Sequence, residues 1–222
     1  MNEFDKIANR IQFCHKCELS NHRNKTVPGW FPEKARPIVF IVDGPQVIDD
    51  TKGLPMLGFH GTKFSQMVLE TMNMERADYN IELCVKCLPR YGGERKAPRR
   101  WSLFWCAKYL YEQLELLRPK LIVSMGYTPF FTLLRRHGVN FTGLEKISLE
   151  PYVGNMYPSL DLPAVSSFSA PTFVTYDPVS WNANKRIRKV SRDHFERLRV
   201  IFDDIEDGRG IESLLRSRED IQ

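Results

Sequence analysis

Ile38-Val39-Phe40-Ile41-Val42-Asp43-Gly44-Pro45-Gln46 is the stretch on which the reading of this chain turns. Its first five residues are the most apolar short run in the amino-terminal third, which predicts a buried strand. A buried strand that runs straight into Asp-Gly-Pro delivers its next residues to a site, so Asp43, Gly44 and Gln46 become candidates for chemistry.

Outward from this strand, helical and extended patterns alternate. Residues 3–13 predict a short helix with Phe4, Ile7, Ile11 and Phe13 as apolar positions, and 21–37 a loop. Residues 43–60 read as loop, 62–73 as a helix on Phe64, Met67, Val68 and Met72, and 80–85 as a second strand ending at Lys86-Cys87. The basic segment 88–100 reads as loop. An amphipathic helix follows over 102–117, with Leu103, Ala107, Leu110, Tyr111 and Leu114 on one face. Residues 120–126 predict a third strand, 128–137 a helix, 171–176 a fourth strand and 188–205 a last helix, while 138–170 is weakly patterned. The expectation is an α/β domain over 1–206, its four-stranded, largely parallel sheet flanked by helices, followed by a peripheral tail over 207–222. In such sheets the crevice lies beyond the carboxyl ends of the strands, here Asp43-Gly44-Pro45, Lys86-Cys87, Gly126 and Tyr176-Asp177-Pro178.

With 222 residues the chain has room for one well-packed domain, and its formal net charge of +5 is compatible with a nucleic-acid partner without identifying one. No run of about 18 apolar residues offers a membrane span. Met1-Asn2-Glu3-Phe4-Asp5 has no basic, then apolar, export signal, so a cytoplasmic protein without membrane association is expected. In that setting Cys14-x-x-Cys17 favours a metal or cluster over a disulfide. Cys87, read as ending a strand, and Cys106, read as beginning a helix, complete a candidate set of four, while Cys84 falls inside a strand and reads as core. Spacing alone leaves zinc and an iron–sulfur cluster both open. Elsewhere, only His15 and His60 lie near candidate sites, and Asp49 and Asp50 read as turn and capping residues.

The order of motifs carries a resemblance. Cys-x-x-Cys with Leu19 and Arg23 is followed by the strand, a Gly/Pro loop, Gly53-Leu-Pro-Met-Leu-Gly-Phe-His-Gly61, Val85-Lys-Cys-Leu-Pro-Arg90, Cys106, Gln113 to Gly126, and Thr175-Tyr-Asp-Pro178. Over about residues 10–200 the chain resembles the family four, iron–sulfur uracil-DNA glycosylases, including the related domains of some phage replication proteins. The resemblance implies a three-layer α/β/α fold and a structural 4Fe-4S cluster on Cys14, Cys17, Cys87 and Cys106. It also implies DNA, single-stranded or duplex, as partner, and admits contact with replication proteins.

The family's chemistry-bearing positions are altered. Its Gly-Glu-Ala-Pro-Gly motif corresponds to Val42-Asp43-Gly44-Pro45-Gln46, so the acid is one methylene shorter. A displacement of roughly 1.5 Å there can cost ~100-fold in rate. The aromatic that stacks on uracil corresponds to Met56, a softer platform. The asparagine that reads the uracil edge corresponds to Leu83, which cannot hydrogen-bond a base, and the His-Pro-Ser histidine to Asp177, whose charge would oppose that developing on the leaving base. The leucine wedge falls at Trp181, where tryptophan would intercalate or stack.

Two basic segments are expected to flank the crevice and contact phosphates: Lys185, Arg186, Arg188, Lys189 and Arg192, and Arg90, Arg95, Lys96, Arg99 and Arg100 with Trp101. The leading expectation is a cluster-containing, DNA-binding relative of uracil-DNA glycosylases whose uracil excision is lost or altered. Its rivals are an active glycosylase that uses Asp43 and Asp177 on uracil or another modified base, and a protein-interaction module that holds no DNA.

Overall fold

The computed structural model describes residues 2–34, 36–134, 148–158 and 170–215. Its strands are β1 (Ile38–Val42), β2 (Asn80–Leu83), β3 (Arg90–Tyr91), β4 (Glu94–Arg95), β5 (Leu121–Met125), β6 (Met156–Tyr157) and β7 (Thr172–Thr175). Its helices are α1 (Glu3–Gln12), α2 (Val47–Lys52), α3 (Phe59–Met72), α4 (Arg100–Leu117), α5 (Tyr127–Leu134), α6 (Ser180–Ala183) and α7 (Lys185–Glu206).

Every residue of β1 is buried, and alternate side chains serve opposite cores. Ile38, Phe40 and Val42 face α3 and α7, where Phe40 meets Phe64, Tyr79 and Phe195 with ring centroids 5.0, 5.3 and 5.9 Å away. Val39 and Ile41 face α4 and α5 through Leu110, Leu114 and Phe130. Helices therefore cover both faces, and the three-layer α/β/α expectation holds. α1 packs outside α4 through Ile7, Ile11 and Tyr109.

The sheet runs β2-β1-β5-β7-β6. The four expected strands are all present and parallel, and β6 adds a fifth, antiparallel strand at the β7 edge. A short β6 in a weakly patterned region has too few residues to show a period. Leu215, early in the expected tail, bridges Met156 of β6, and Ile211 and Leu214 pack on the same core. Of the helix expected over 128–137, residues 135–137 lie outside the described residues, as do 216–222 of the tail and most of 138–170.

Several expected boundaries shift for local reasons. The loop 43–60 contains α2, started by a capping box between Gln46 and Asp49 and stopped at Gly53 in the left-handed region (φ 80°). The basic loop 88–100 contains the β3–β4 hairpin, whose Gly92 and Gly93 have φ of 64° and 84°, as a two-residue hairpin turn requires. β2 ends at Leu83, so Cys87 sits in a buried connection instead of ending a strand, and Cys106 lies inside α4 instead of beginning it. α7 begins three residues early because the Asn184 side chain accepts the amides of Arg186 and Ile187. Phe13 caps the end of α1 and is 70% exposed, so it is not part of that helix's buried face.

Among the described residues one ion pair is wholly interior: Glu82 of β2 with Lys86 of the connection after it. Glu82 Oε2 also accepts the Leu83 amide at 3.0 Å, and the Lys86 carbonyl accepts the Val27 amide at 2.8 Å. Burial pushes the Glu82 carboxyl above its ordinary value against the pull of the Lys86 ammonium.

Phe40 is the shared contact of three rings, so Phe40→Ala should destabilise the domain by about 3–5 kcal/mol through lost burial and an uncollapsed cavity. Val200 on the outer side of α7 is exposed, and Val200→Ala should stay within about 0.5 kcal/mol. Chemical denaturation of the two variants measures both, and similar midpoints would contradict this account of the core.

Candidate functional site

From β1 the chain moves outward to β2 and then returns past β1 to β5, so the winding reverses between β1 and β5. A crevice opens beyond the strand ends at such a reversal. Asp43, Gly44 and Gln46 enter it after β1, Met56 and His60 from the turn into α3, and Asp177, Pro178 and Val179 after β7. Gly126, after β5, has φ 97°, and a Cβ there would stand 3.0 Å from that of Asp177. Glycine is what allows Asp177 to lean over the end of β5.

Asp43 is clamped. Arg95 Nη2 lies 2.9 Å from each of its carboxylate oxygens, the Gly44 amide donates to Oδ1 at 2.8 Å, and Arg95 Nε reaches the Pro45 carbonyl at 3.2 Å. Burial pushes the Asp43 carboxyl above its ordinary value; Arg95 opposes that shift and the Asp177 charge adds to it. Asp177 is committed differently. Its Oδ1 accepts the amides of Val179 at 2.9 Å and Ser180 at 3.1 Å, and its Oδ2 accepts the Ser180 hydroxyl at 2.6 Å. Such a carboxylate shapes the turn into α6, and both of its oxygens are occupied as acceptors.

Met56 has φ 57° and is buried, and a Cβ at Gly61 would overlap the Met56 carbonyl. Glycine at 61 is therefore what lets α3 begin against this turn. His60, in the first turn of α3, has Nδ1 3.1 Å from Asn182 Nδ2. That contact ties the first turn of α3 to α6.

Two expected residues are placed elsewhere. Leu83 is fully buried (0% exposed) among the side chains under α3, beneath the crevice and not lining it. Trp181 is 3% exposed and meets Phe195 edge-on at 5.8 Å, because the inner face of α6 packs against α7. It is not an exposed wedge; the exposed apolar side chain of that loop is Val179. Lys185, Arg186, Arg188 and Lys189 are exposed in the first turns of α7, whereas Arg192 is paired with Glu70. Arg99 and Arg100 are exposed at the start of α4, Arg99 bridging Glu18 at 3.0 Å.

The four candidate cysteines come from three separate segments. Cys87 is within electrostatic reach of Cys14 and Cys17, and Cys106 of Cys87 and Cys17, and none of them is in a disulfide. Burial pushes the Cys87 thiol up to about 11 and that of Cys106 to about 12. Two donors work in the other direction: Arg23 Nη1 lies 3.4 Å from Cys87 Sγ, and the Lys86 backbone amide donates to Cys106. Arg23 also binds the carbonyls of Cys14 at 2.7 Å and Gln12 at 3.0 Å, holding the first cysteine loop against the connection that carries Cys87. Among the described residues no three His, Cys, Asp or Glu side chains are grouped as ligands of one metal ion. Cys84, expected inside a strand, follows the end of β2, and it is buried in the core as expected. No described helix is long and apolar enough to cross a membrane.

Arg95, expected as a loop cation for phosphate, is instead turned onto Asp43. Its signal was local: Gly92-Gly93 between Arg90-Tyr91 and Glu94-Arg95 specifies a tight hairpin, and the hairpin carries Arg95 back to Asp43.

The uracil DNA glycosylase superfamily matches residues 28–199 of this chain. Similar proteins include the type-4 uracil-DNA glycosylase of Saccharolobus solfataricus, 28% identical over 90% of this chain and 86% of that one. The type-4 uracil-DNA glycosylase of Sulfurisphaera tokodaii is 29% identical over the same shares, 90% and 86%. That of Archaeoglobus fulgidus is 31% identical over 68% of this chain and 74% of its own.

Arg95→Gln removes the cation and leaves the burial, so the Asp43 carboxyl should rise further, as read by carboxyl-carbon NMR titration. An acid raised in the folded state is unpenalised below its unfolded value and fully penalised above its folded one. The variant should therefore lose stability relative to the parent progressively as the pH rises above the ordinary aspartate value of about 4. A lower Asp43 pKa in the variant would refute the clamp.

Proposed function

The chain belongs to the uracil DNA glycosylase superfamily, and from that premise we propose a DNA-binding protein built around a 4Fe-4S cluster, with a crevice in which uracil excision is lost or altered. The observation that carries this reading is the commitment of both crevice carboxylates. Asp43 is neutralised by Arg95 and Asp177 is used up by its own turn, so neither is free to take a proton from water.

The thiol set fits the cluster. Cys14, Cys17, Cys87 and Cys106 would hold it as thiolates, with Arg23 and the Lys86 amide offsetting their negative charge. A bound cluster would join the amino-terminal segment, the connection after β2 and α4 into one body, a structural service with no bond-breaking step. Zinc on the same four thiols is the alternative, and iron and sulfide analysis separates the two. DNA would be held through the exposed cations at the start of α7 and α4.

The test is uracil release from single-stranded and duplex oligonucleotides, with metal analysis of the same anaerobic preparation. Near-stoichiometric iron and sulfide are expected, with excision at least ~100-fold below that of an active type-4 glycosylase. Comparable turnover would overturn the claim of altered chemistry, and iron-free folded protein would overturn the cluster.

An active enzyme with another base as substrate is the second reading, and His60 is what favours it. Its imidazole lines the crevice with Asp43 and Asp177, where a ring N–H would stabilise charge on a departing base, the task that Asp177 cannot perform. Screening deaminated and modified bases against the parent, Asp43→Asn and His60→Ala decides it. Release abolished by both substitutions is the expected signature, and no release from any base removes this reading.

A further inference from the structure

Trp101, Phe104 and Trp105 crowd the first two turns of α4, immediately before Cys106. Trp101 is 58% exposed and Phe104 46%. Three residues apart, they share one face of the helix, with ring centroids 5.5 Å apart and planes only 9° from parallel. Trp105 stands edge-on to both, at 5.5 Å from Trp101 and 5.2 Å from Phe104, and so backs the pair. Lys16 Nζ lies 5.6 Å over the Trp105 ring, which brings the first cysteine loop to the same patch. Large aromatic side chains are ordinarily buried in a monomer, and two held stacked and parallel at the surface form a prepared contact.

We propose that this face is a stacking platform for unpaired bases of single-stranded DNA, distinct from the crevice. The proposal rests on the DNA-binding reading above and adds the form of nucleic acid recognised. Charge selects the occupant. Exposed Lys16, Lys96, Arg99, Arg100 and Lys108 belong to the segments around the rings, while Glu18 and Glu94 are paired with Arg99 and Lys96. A polyanion with flat faces matches rings flanked by cations, whereas an apolar protein surface would leave those cations against nonpolar atoms. Duplex DNA hides its base faces within the stack, so a single strand is the better match. The platform also joins the crevice through the chain itself, because the hairpin whose Arg95 touches Asp43 continues through Arg99 into Trp101.

The test uses the full-length protein with its cofactor and a fluorescent thymidine oligonucleotide of about 16 nucleotides, followed by anisotropy. Trp101→Ala with Phe104→Ala should weaken binding by about 5- to 150-fold per stacked base. Trp101→Phe should keep most of the affinity, and the double substitution should have little effect on an abasic oligonucleotide or on a duplex. Unchanged iron content and circular dichroism confirm that the double variant is folded, and quenching of tryptophan fluorescence by the oligonucleotide gives a second readout in the parent protein. Single-strand binding equal to the parent would overturn the platform; if Lys185→Ala, Arg186→Ala and Arg188→Ala together still weaken binding, the DNA-binding reading survives it. A parent that binds no DNA would overturn both. Unchanged DNA binding with self-association abolished by the double substitution would also overturn the platform and assign the face to a second copy of the chain.

Discussion

β1 has neither a free edge nor a free face. Strands lie along both sides and helices press on both surfaces, so water first reaches this part of the backbone where the strand ends at Asp43. The same constraint brings β5 and β7 alongside, and their exits at Gly126 and Asp177 emerge at the same rim. A carboxylate delivered so rigidly is held to the accuracy of a packed core, and its partner is decisive for what it can do. Here the partner is a guanidinium. The crevice is organised around the Asp43–Arg95 ion pair.

Much of the fold could be read from the chain because long elements advertise a period. Phe64, Met67, Val68 and Met72 mark α3, and the unbroken run Ile38–Val42 marks a strand covered on both faces. What escaped was short and specified by single groups. α2 depends on a reciprocal cap between Gln46 and Asp49, and the β3–β4 hairpin on two adjacent glycines with positive φ. Neither leaves a hydrophobic rhythm.

At the candidate site, residue types near a strand end were legible and their partners were not. Asp43, Gly44, Gln46, Met56 and Asp177 do meet in one crevice. Motif correspondence put Leu83 in the pocket, although its own strand pattern marks it as core; the packing of β2 under α3 decided the matter. Trp181 stands among cations in sequence and reads as surface, yet α6 turns it inward onto Phe195. Tertiary contacts of that kind carry no local sequence signal.

The interior pair Glu82–Lys86 has a consequence for motion. Two charges withdrawn from water are stable only while their partners and surrounding amides stay registered, and any loosening of the connection between β2 and Cys87 lets both hydrate at once. Movement of either segment would unpair the charge on the other, so the strand end that carries Glu82 and the connection that carries Cys87 are held to one another.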